Sequence, residues 1–288
     1  MIKIKNKNID HNSKTFFIAE IGINHNGSID NAEKLIIECK NAGADAVKFQ
    51  KRTVEKVYSQ EELLKPRESV FGKTNGDLKR GLEFTKSDYQ KIDKICNDLD
   101  IIWFASCWDK ESVDFMEEMD IPCYKIASAS LTDKDLIEYT KKTNKPIILS
   151  TGMSTEQEIK KAVNLIGENN LIILHCTSSY PCKTNELNLS YIYKLKKIYS
   201  CPIGYSGHEV GLSTTLAAVA MGAKVVERHV TLDRSLWGSD QSASIEPVGL
   251  AKLIRDIKVF EEAYGDGEKR VYDTEKPILE KLRKINTI

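Results

Sequence analysis

Residues 202–231 read PIGYSGHEVGLSTTLAAVAMGAKVVERHVT and contain one whole unit of the chain's architecture. A short apolar run, PIGYSG, leads through a polar turn into a helical stretch over 211–221, and a second apolar run, VVERHVT, follows. Short apolar strands joined by a helix of this length predict neighbouring parallel strands with the helix covering one face. His208 and His229 stand just past the apolar parts of these two runs, so both imidazoles open into the same mouth.

The same alternation extends in both directions. Apolar runs at 16–22 (FFIAEIG), 46–50 (AVKFQ), 101–107 (IIWFASC) and 123–128 (CYKIAS) are followed by PIILSTG from 146 and LIILHCTSS from 171. Helical periods fill the gaps at 28–42, 87–99, 110–119, 133–142, 155–168 and 188–198, and a last helix covers 247–263. Eight strand-helix alternations predict an α/β fold, a closed (β/α)8 TIM barrel, as one domain over 1–288. An open doubly wound sheet suits the chain less well, since no GxGxxG follows the first strand.

Three segments stand apart. Residues 1–14 alternate Ile2, Ile4 and Ile9 with Lys and Asn, which predicts a short N-terminal β-hairpin lying over the barrel bottom. Residues 51–84 are charged, contain Pro66 and show no sustained period; they read as a solvated loop or a lid. Residues 265–288 read as a charged tail.

Composition narrows the function classes. The chain carries 42 basic and 42 acidic residues, so neither a nucleic acid nor an anionic membrane would be held by net charge. No apolar stretch approaches the roughly 20 residues of a membrane span, and the N-terminus MIKIKNKNID lacks a signal-peptide core. The seven cysteines form no CxxC pair and read as small buried hydrophobes in a reducing, cytoplasmic setting.

Chemistry in such barrels collects where the strands end. Those positions offer Glu20, Lys48, Gln50, Ser106, Lys125, Ser128, Ser130, Ser150, Thr151, His175, Ser178, Tyr180, Ser206, His208, Glu227, Arg228 and His229. Two lysines, an arginine and a ring of hydroxyls fit a doubly anionic phosphate or carboxylate ligand. The competing reading makes Lys48 and Lys125 interior ion-pair partners of Glu20 or Glu227, and makes Ser106, Ser128 and Ser150 backbone caps. His175 reads as a core residue and His25 as a turn residue. Two histidines alone leave coordination positions open, which predicts an exchangeable Lewis-acid metal at His208 and His229.

The runs AEIGINHNG, AVKFQ, YKIASAS, LSTGMS, LHCTSSYP, GYSGH, ERHVTLD and WGSDQ, ordered from residue 19 to 241, resemble the sialic acid synthase family. The resemblance implies condensation of phosphoenolpyruvate with an N-acylated mannosamine or related aldose, giving a 2-keto-3-deoxy sugar acid. It implies that Lys48, Ser106, Lys125, Ser128, Ser150, Ser178 and Ser206 hold phosphoenolpyruvate. It also implies that His208 and His229 hold Mn2+, with Mg2+ or Co2+ as substitutes, and that Glu20 works as an acid or base. Tyr180, Asp240 and Ser130 would line the sugar site, Ser130 standing where many members carry a glutamate. Many members work as homodimers with an added C-terminal antifreeze-like domain, which this chain, ending at Ile288, is expected to lack. A shorter or phosphorylated aldose remains an alternative acceptor; a metal-dependent hydrolase and a non-catalytic sugar-binding protein are the alternative classes.

Overall fold

The structure is a computed structural model that describes residues 1–284. Its first element is the expected hairpin, β1 (Ile2–Ile4) with β2 (Lys7–Ile9), paired antiparallel so that Ile2 meets Ile9. Ile2, Ile4 and Ile9 are fully buried while their lysine neighbours stay exposed, as period-two alternation demands. The hairpin lies at the barrel bottom, where Lys7 Nζ meets Asp45 at 2.6 Å just before the second barrel strand.

All eight apolar runs become strands of one parallel barrel. They begin with β3 (Phe16–Gly22) and β4 (Ala46–Lys51); a small hairpin, β5 (Pro66–Ser69) with β6 (Gly72–Thr74), interrupts the series. The barrel resumes with β7 (Ile102–Cys107), β8 (Tyr124–Ile126), β9 (Ile147–Ser150), β10 (Leu171–Cys176), β11 (Ile203–Gly207) and β12 (Val225–His229). β12 pairs with β3 and closes the ring. Both faces of each strand are covered, which is why β3 is buried at every position and the strands read as continuous apolar runs.

The helices start where capping chemistry puts them. Ser28 accepts from the Asn31 N–H to open helix Ile29–Ala42, which buries Ala32, Leu35, Ile36 and Cys39 on one stripe. Thr85 with Asp88, and Thr155 with Glu158, form reciprocal capping boxes for helices Lys86–Asp98 and Glu156–Ile166. The last long helix, Pro247–Tyr264, packs beside the first and completes the outer layer. All seven cysteines are buried and unpaired with one another.

The 51–84 stretch is not a solvated loop. It folds into helices Val54–Val57, Gln60–Leu64 and Asn75–Leu82 around the β5–β6 hairpin. Its elements run from 3 to 8 residues, too short for a sequence period to show. Close backbone approach docks it onto the loop after β3. A side chain at Gly81 would put its Cβ 2.1 Å from the Phe71 ring, and one at Gly27, where φ is +75°, would lie 2.4 Å from the Gly81 carbonyl. Past Tyr264 the chain is exposed through the short helix Lys276–Leu282; residues 285–288 of the expected tail lie outside the described residues.

Candidate active site

The register of the barrel assembles the mouth. Glu20 lies opposite Lys48 on one side and His229 on the other, Ser106 opposite Lys125, and Ser206 opposite both Glu227 and Cys176. These side chains enclose a cavity of about 180 Å³, together with Ser128, Ser150, Ser178, Tyr180 and His208. A larger cavity of about 860 Å³ lies at the opposite end of the barrel, but its Lys7 and Lys40 are already bonded to Asp45 and to the Asp100 carbonyl. The mouth gathers several unpartnered polar atoms and four buried charged side chains around one cavity.

At its centre is a four-membered charge cluster. Lys48 Nζ lies 2.8 Å from Glu20 Oε2 and 3.7 Å from Glu227 Oε1, and Lys125 Nζ lies 3.8 Å from the same Glu227 oxygen. The pairing reading and the ligand reading of the lysines thus hold together: without an anionic ligand, the carboxylates neutralise them. Burial, with the charge on Glu227 added, pushes Glu20 above the usual carboxylate range against the pull of Lys48. Burial opposes ionisation of Glu227 as well, yet Lys125, Lys48 and the imidazoles outweigh it and hold that carboxyl low. Burial and the neighbouring Lys48 lower Lys125 despite Glu227, whereas the two carboxylates raise Lys48 in spite of burial. Two carboxyl groups pushed in opposite directions are the arrangement that acid and base work requires.

Four buried polar atoms in this mouth have neither a hydrogen-bond partner nor a close ion pair: Trp108 Nε1, Ser150 Oγ, Glu227 Oε2 and His229 Nδ1. Buried polar groups are nearly always satisfied, so four around one cavity mark a place for a ligand. The other hydroxyls are lightly engaged. Ser106 Oγ lies 3.5 Å from Lys48 Nζ, Ser206 Oγ donates to Glu227 Oε1 at 3.3 Å, and Ser128 Oγ accepts from the Gly152 N–H at 3.0 Å. Gly152 is required there, since an added Cβ would lie 2.1 Å from Ser178 Oγ.

The two histidines face each other with ring centroids 5.5 Å apart, and the Tyr180 ring covers His208 at 4.1 Å. His208 Nδ1 lies 2.8 Å from the Thr177 carbonyl, which can only accept, so Nδ1 carries a proton and Nε2 is the nitrogen with a lone pair to offer when the ring is neutral. Burial opposes a charge on this ring, but Cys176 and the Thr177 carbonyl outweigh it and raise its pKa. Burial lowers His229 to about 4, so its ring is neutral near pH 7. The pair fits a divalent metal. Among the described residues no third His, Cys, Asp or Glu joins a ligand group, which leaves coordination positions for substrate oxygen and water. Asp240 Oδ2 lies 3.9 Å from His229 Nδ1 at the rim.

Not every expected residue faces the mouth. Arg228 points to the opposite side of β12, into the helix layer, because it alternates with Glu227 and His229; there it pairs with Glu209 at 3.0 Å. Ser130 is buried in the 3-10 turn Ser128–Ser130, where its carbonyl accepts the Asp133 N–H, and Ala129 lines the cavity instead. His175 is bonded to the Leu187 carbonyl at 2.7 Å, and His25 stacks on Phe84 at 4.0 Å, so both are structural. Cys176 lines the mouth and was not singled out by sequence, and neither was Arg52 beside it, whereas Gln50 was. Cys176 touches His208, Ser128 and Ser178, and although burial alone would raise its thiol, His208 brings it down to about 7. Gln50 donates to Glu20 Oε1 at 2.8 Å, and Arg52 bonds Gln50 while stacking on Trp108. Gln50 carried a signal, lying two residues from Lys48 and hence on the same strand face.

Comparison with known proteins converges on one group. The profile of the NeuB family matches residues 35–269. The N-acetylneuraminate-9-phosphate synthase of Mus musculus is 39% identical over 274 residues, spanning 93% of this chain and 76% of that protein. The N,N'-diacetyllegionaminic acid synthase of Legionella pneumophila is 34% identical over 288 residues, spanning 95% of this chain and 80% of that protein. The crystal structure of N-acetylneuraminic acid synthetase from Leptospira borgpetersenii superposes with a TM-score of 0.86 at 32% identity, covering 99% of this chain and 98% of that one.

Proposed function

The chain belongs to the NeuB family, and we propose how its mouth carries out the reaction of a sialic acid synthase-like enzyme: phosphoenolpyruvate and an aldose give a 2-keto-3-deoxy sugar acid and phosphate. The observation that carries the proposal is the set of four unpartnered polar atoms around two buried lysines in one cavity.

Lys48 and Lys125 hold the phosphate and carboxylate of phosphoenolpyruvate, exchanging their contacts with Glu20 and Glu227 for charge-assisted bonds to the ligand. The hydroxyls of Ser106, Ser128, Ser150, Ser178 and Ser206 donate to the same anion. A divalent cation held by His208 and His229, proposed to be manganese, would supply Lewis-acid polarisation of the aldehyde oxygen. Glu20, whose hold on a proton burial strengthens, gives its proton to that oxygen as the enol carbon bonds to the aldehyde carbon. Glu227 Oε2, ionised and free, takes a proton from the water that adds at the former enol carbon. Cleavage of the C–O bond at that carbon then releases phosphate and leaves the keto group. Lys48, within reach of both carboxyl groups, lies between the proton donor and the acceptor. Asp240 and Tyr180 orient the sugar at the rim, and Trp108 and Tyr180 limit water access to the cavity.

The remaining parts of the proposal are a single catalytic domain, a homodimer, a cytoplasmic setting and no nucleic-acid or membrane partner. Their support is one closed barrel, balanced charge, cysteines that are all unpaired, and the lack of any helix among the described residues long and apolar enough to cross a membrane; the homodimer rests on the family resemblance alone. The relatives' names leave the acceptor undecided, since some products carry a 9-phosphate and others do not.

The test supplies the full chain with phosphoenolpyruvate, manganese and an N-acylated hexosamine. Turnover is expected to stop on chelation, to return with added metal, and to be absent in His208→Ala. Turnover that survives chelation, or hydrolysis of other esters without phosphoenolpyruvate, would reject the proposal.

A further inference from the structure

A second cavity, of about 550 Å³, lies beside the mouth between the folded insert and the loop after β12. Asn26, Arg67, Leu78, Lys79, Trp237 and Ser239 line it. It begins one residue from the sugar contact: Ser239 Oγ donates to Asp240 Oδ1 at 2.7 Å, and Asp240 Oδ2 lies 3.9 Å from His229 Nδ1. An open-chain aldose with its aldehyde at the histidines and its hydroxyls on Asp240 therefore runs its far end over Ser239 into this space.

The charges around it are arranged unevenly. In and beside the insert, Lys51, Arg52, Lys56, Lys65 and Arg80 each pair with a glutamate. Among the described residues Arg67 and Lys79 pair with none: Arg67 Nη1 donates to Asn75 Oδ1 at 3.4 Å, and Lys79 lies over the Tyr58 ring at 5.1 Å. Lys79 is partly buried, and burial together with the facing charges of Arg52 and Arg67 lowers its pKa. Glu68 in the lining, and Glu62 and Asp240, whose charges act on Lys79 from outside it, make no ion pair with either cation. Cations gathered in a recess without an anion of their own suit a ligand anion.

We propose that this recess is the subsite for a phosphate on the terminal carbon of the acceptor, gripped by Arg67 and Lys79, and that the protein's acceptor is an aldose phosphorylated at the end opposite its aldehyde. The inference rests on the synthase reading of the mouth. Trp237 and Phe71, packed edge to face at 6.0 Å, form the apolar wall that fixes the width of the recess. The insert's short elements thus have a task, since they carry both cations to the rim.

The test compares N-acetylmannosamine with its 6-phosphate, each with phosphoenolpyruvate and manganese, in the parent and in Lys79→Gln, Arg67→Gln and Lys79→Arg. The phosphorylated sugar is expected to have a kcat/KM about tenfold higher or more, as charge-assisted contacts provide. Each glutamine variant is expected to raise KM for that sugar about ten- to hundredfold, with KM for phosphoenolpyruvate and for the free sugar unchanged. Lys79→Arg is expected to keep most of the affinity. Equal use of both sugars, or variants that weaken both alike, would overturn the subsite while leaving the synthase reading in place. If neither sugar consumes phosphoenolpyruvate, the reading of the mouth falls and takes the subsite with it.

Discussion

Two buried charge clusters share one strand, β12, and face opposite ways. Toward the helix layer, Glu209 accepts from Tyr205, Thr214, Thr215 and Arg228 at 2.8 to 3.0 Å, and Arg228 also donates to the carbonyls of Glu209 and Gly211. Toward the mouth, Glu227 keeps one oxygen without a partner and shares the other between two lysines and a serine. The clusters are equally hidden from water. They differ in how far they are satisfied: in the wall cluster both Glu209 oxygens and both terminal nitrogens of Arg228 are paired or bonded and only Arg228 Nε lacks a partner, whereas in the mouth cluster a carboxylate oxygen, a hydroxyl and an imidazole nitrogen around one cavity hold capacity in reserve. Burial of charge therefore does not distinguish scaffold from site here, whereas unpartnered atoms gathered around one cavity do.

The contrast is sharpest under substitution. Arg228→Met leaves the Glu209 carboxylate buried with its cation removed and is expected to cost about 3–5 kcal/mol in urea unfolding. Adding Glu209→Gln should recover part of that loss, and an unchanged midpoint in the single variant would erase the distinction. Glu227→Gln keeps the shape of its side chain and is expected to lower kcat about a hundred- to thousandfold. Buried Lys125 then loses its paired carboxylate but sheds its proton more readily than a free lysine, so the unfolding midpoint should fall less than it does in Arg228→Met. Ser150→Ala removes a hydroxyl that bonds to nothing in the protein, so stability should hold while KM for phosphoenolpyruvate rises about tenfold.

The smallest effect concerns pH. Burial and Lys48 make Lys125 release its proton at a lower pH than a free lysine does, so the charge that holds phosphoenolpyruvate is lost earlier on the alkaline side. KM for phosphoenolpyruvate should therefore climb as pH rises, and Lys125→Arg, charged throughout, should flatten the climb a few-fold. A climb unaltered by that substitution would assign it to another group.

The barrel was legible because its strands are buried on both faces, which writes each of them as an apolar run such as FFIAEIG. The mouth was legible to the extent that strand alternation could be followed: Lys48, His208 and His229 lie where the runs end. Arg228 was misplaced because a sequence gives the phase of alternation only once one residue's direction is known. The insert was read as loop because its elements are shorter than any detectable period, and Ser130 was offered as a sugar contact although a 3-10 turn withdraws it from the cavity. The reserve in the mouth cluster is invisible in sequence, since an unpartnered oxygen is a property of packing.

The central claim is that this reserve serves a condensation. The most direct measurement quantifies phosphate and 2-keto-3-deoxy acid in one reaction mixture of full chain, phosphoenolpyruvate, divalent metal and aldose. The account predicts equal amounts of both, and none of either when the aldose is omitted. Phosphate released without the sugar acid would contradict it.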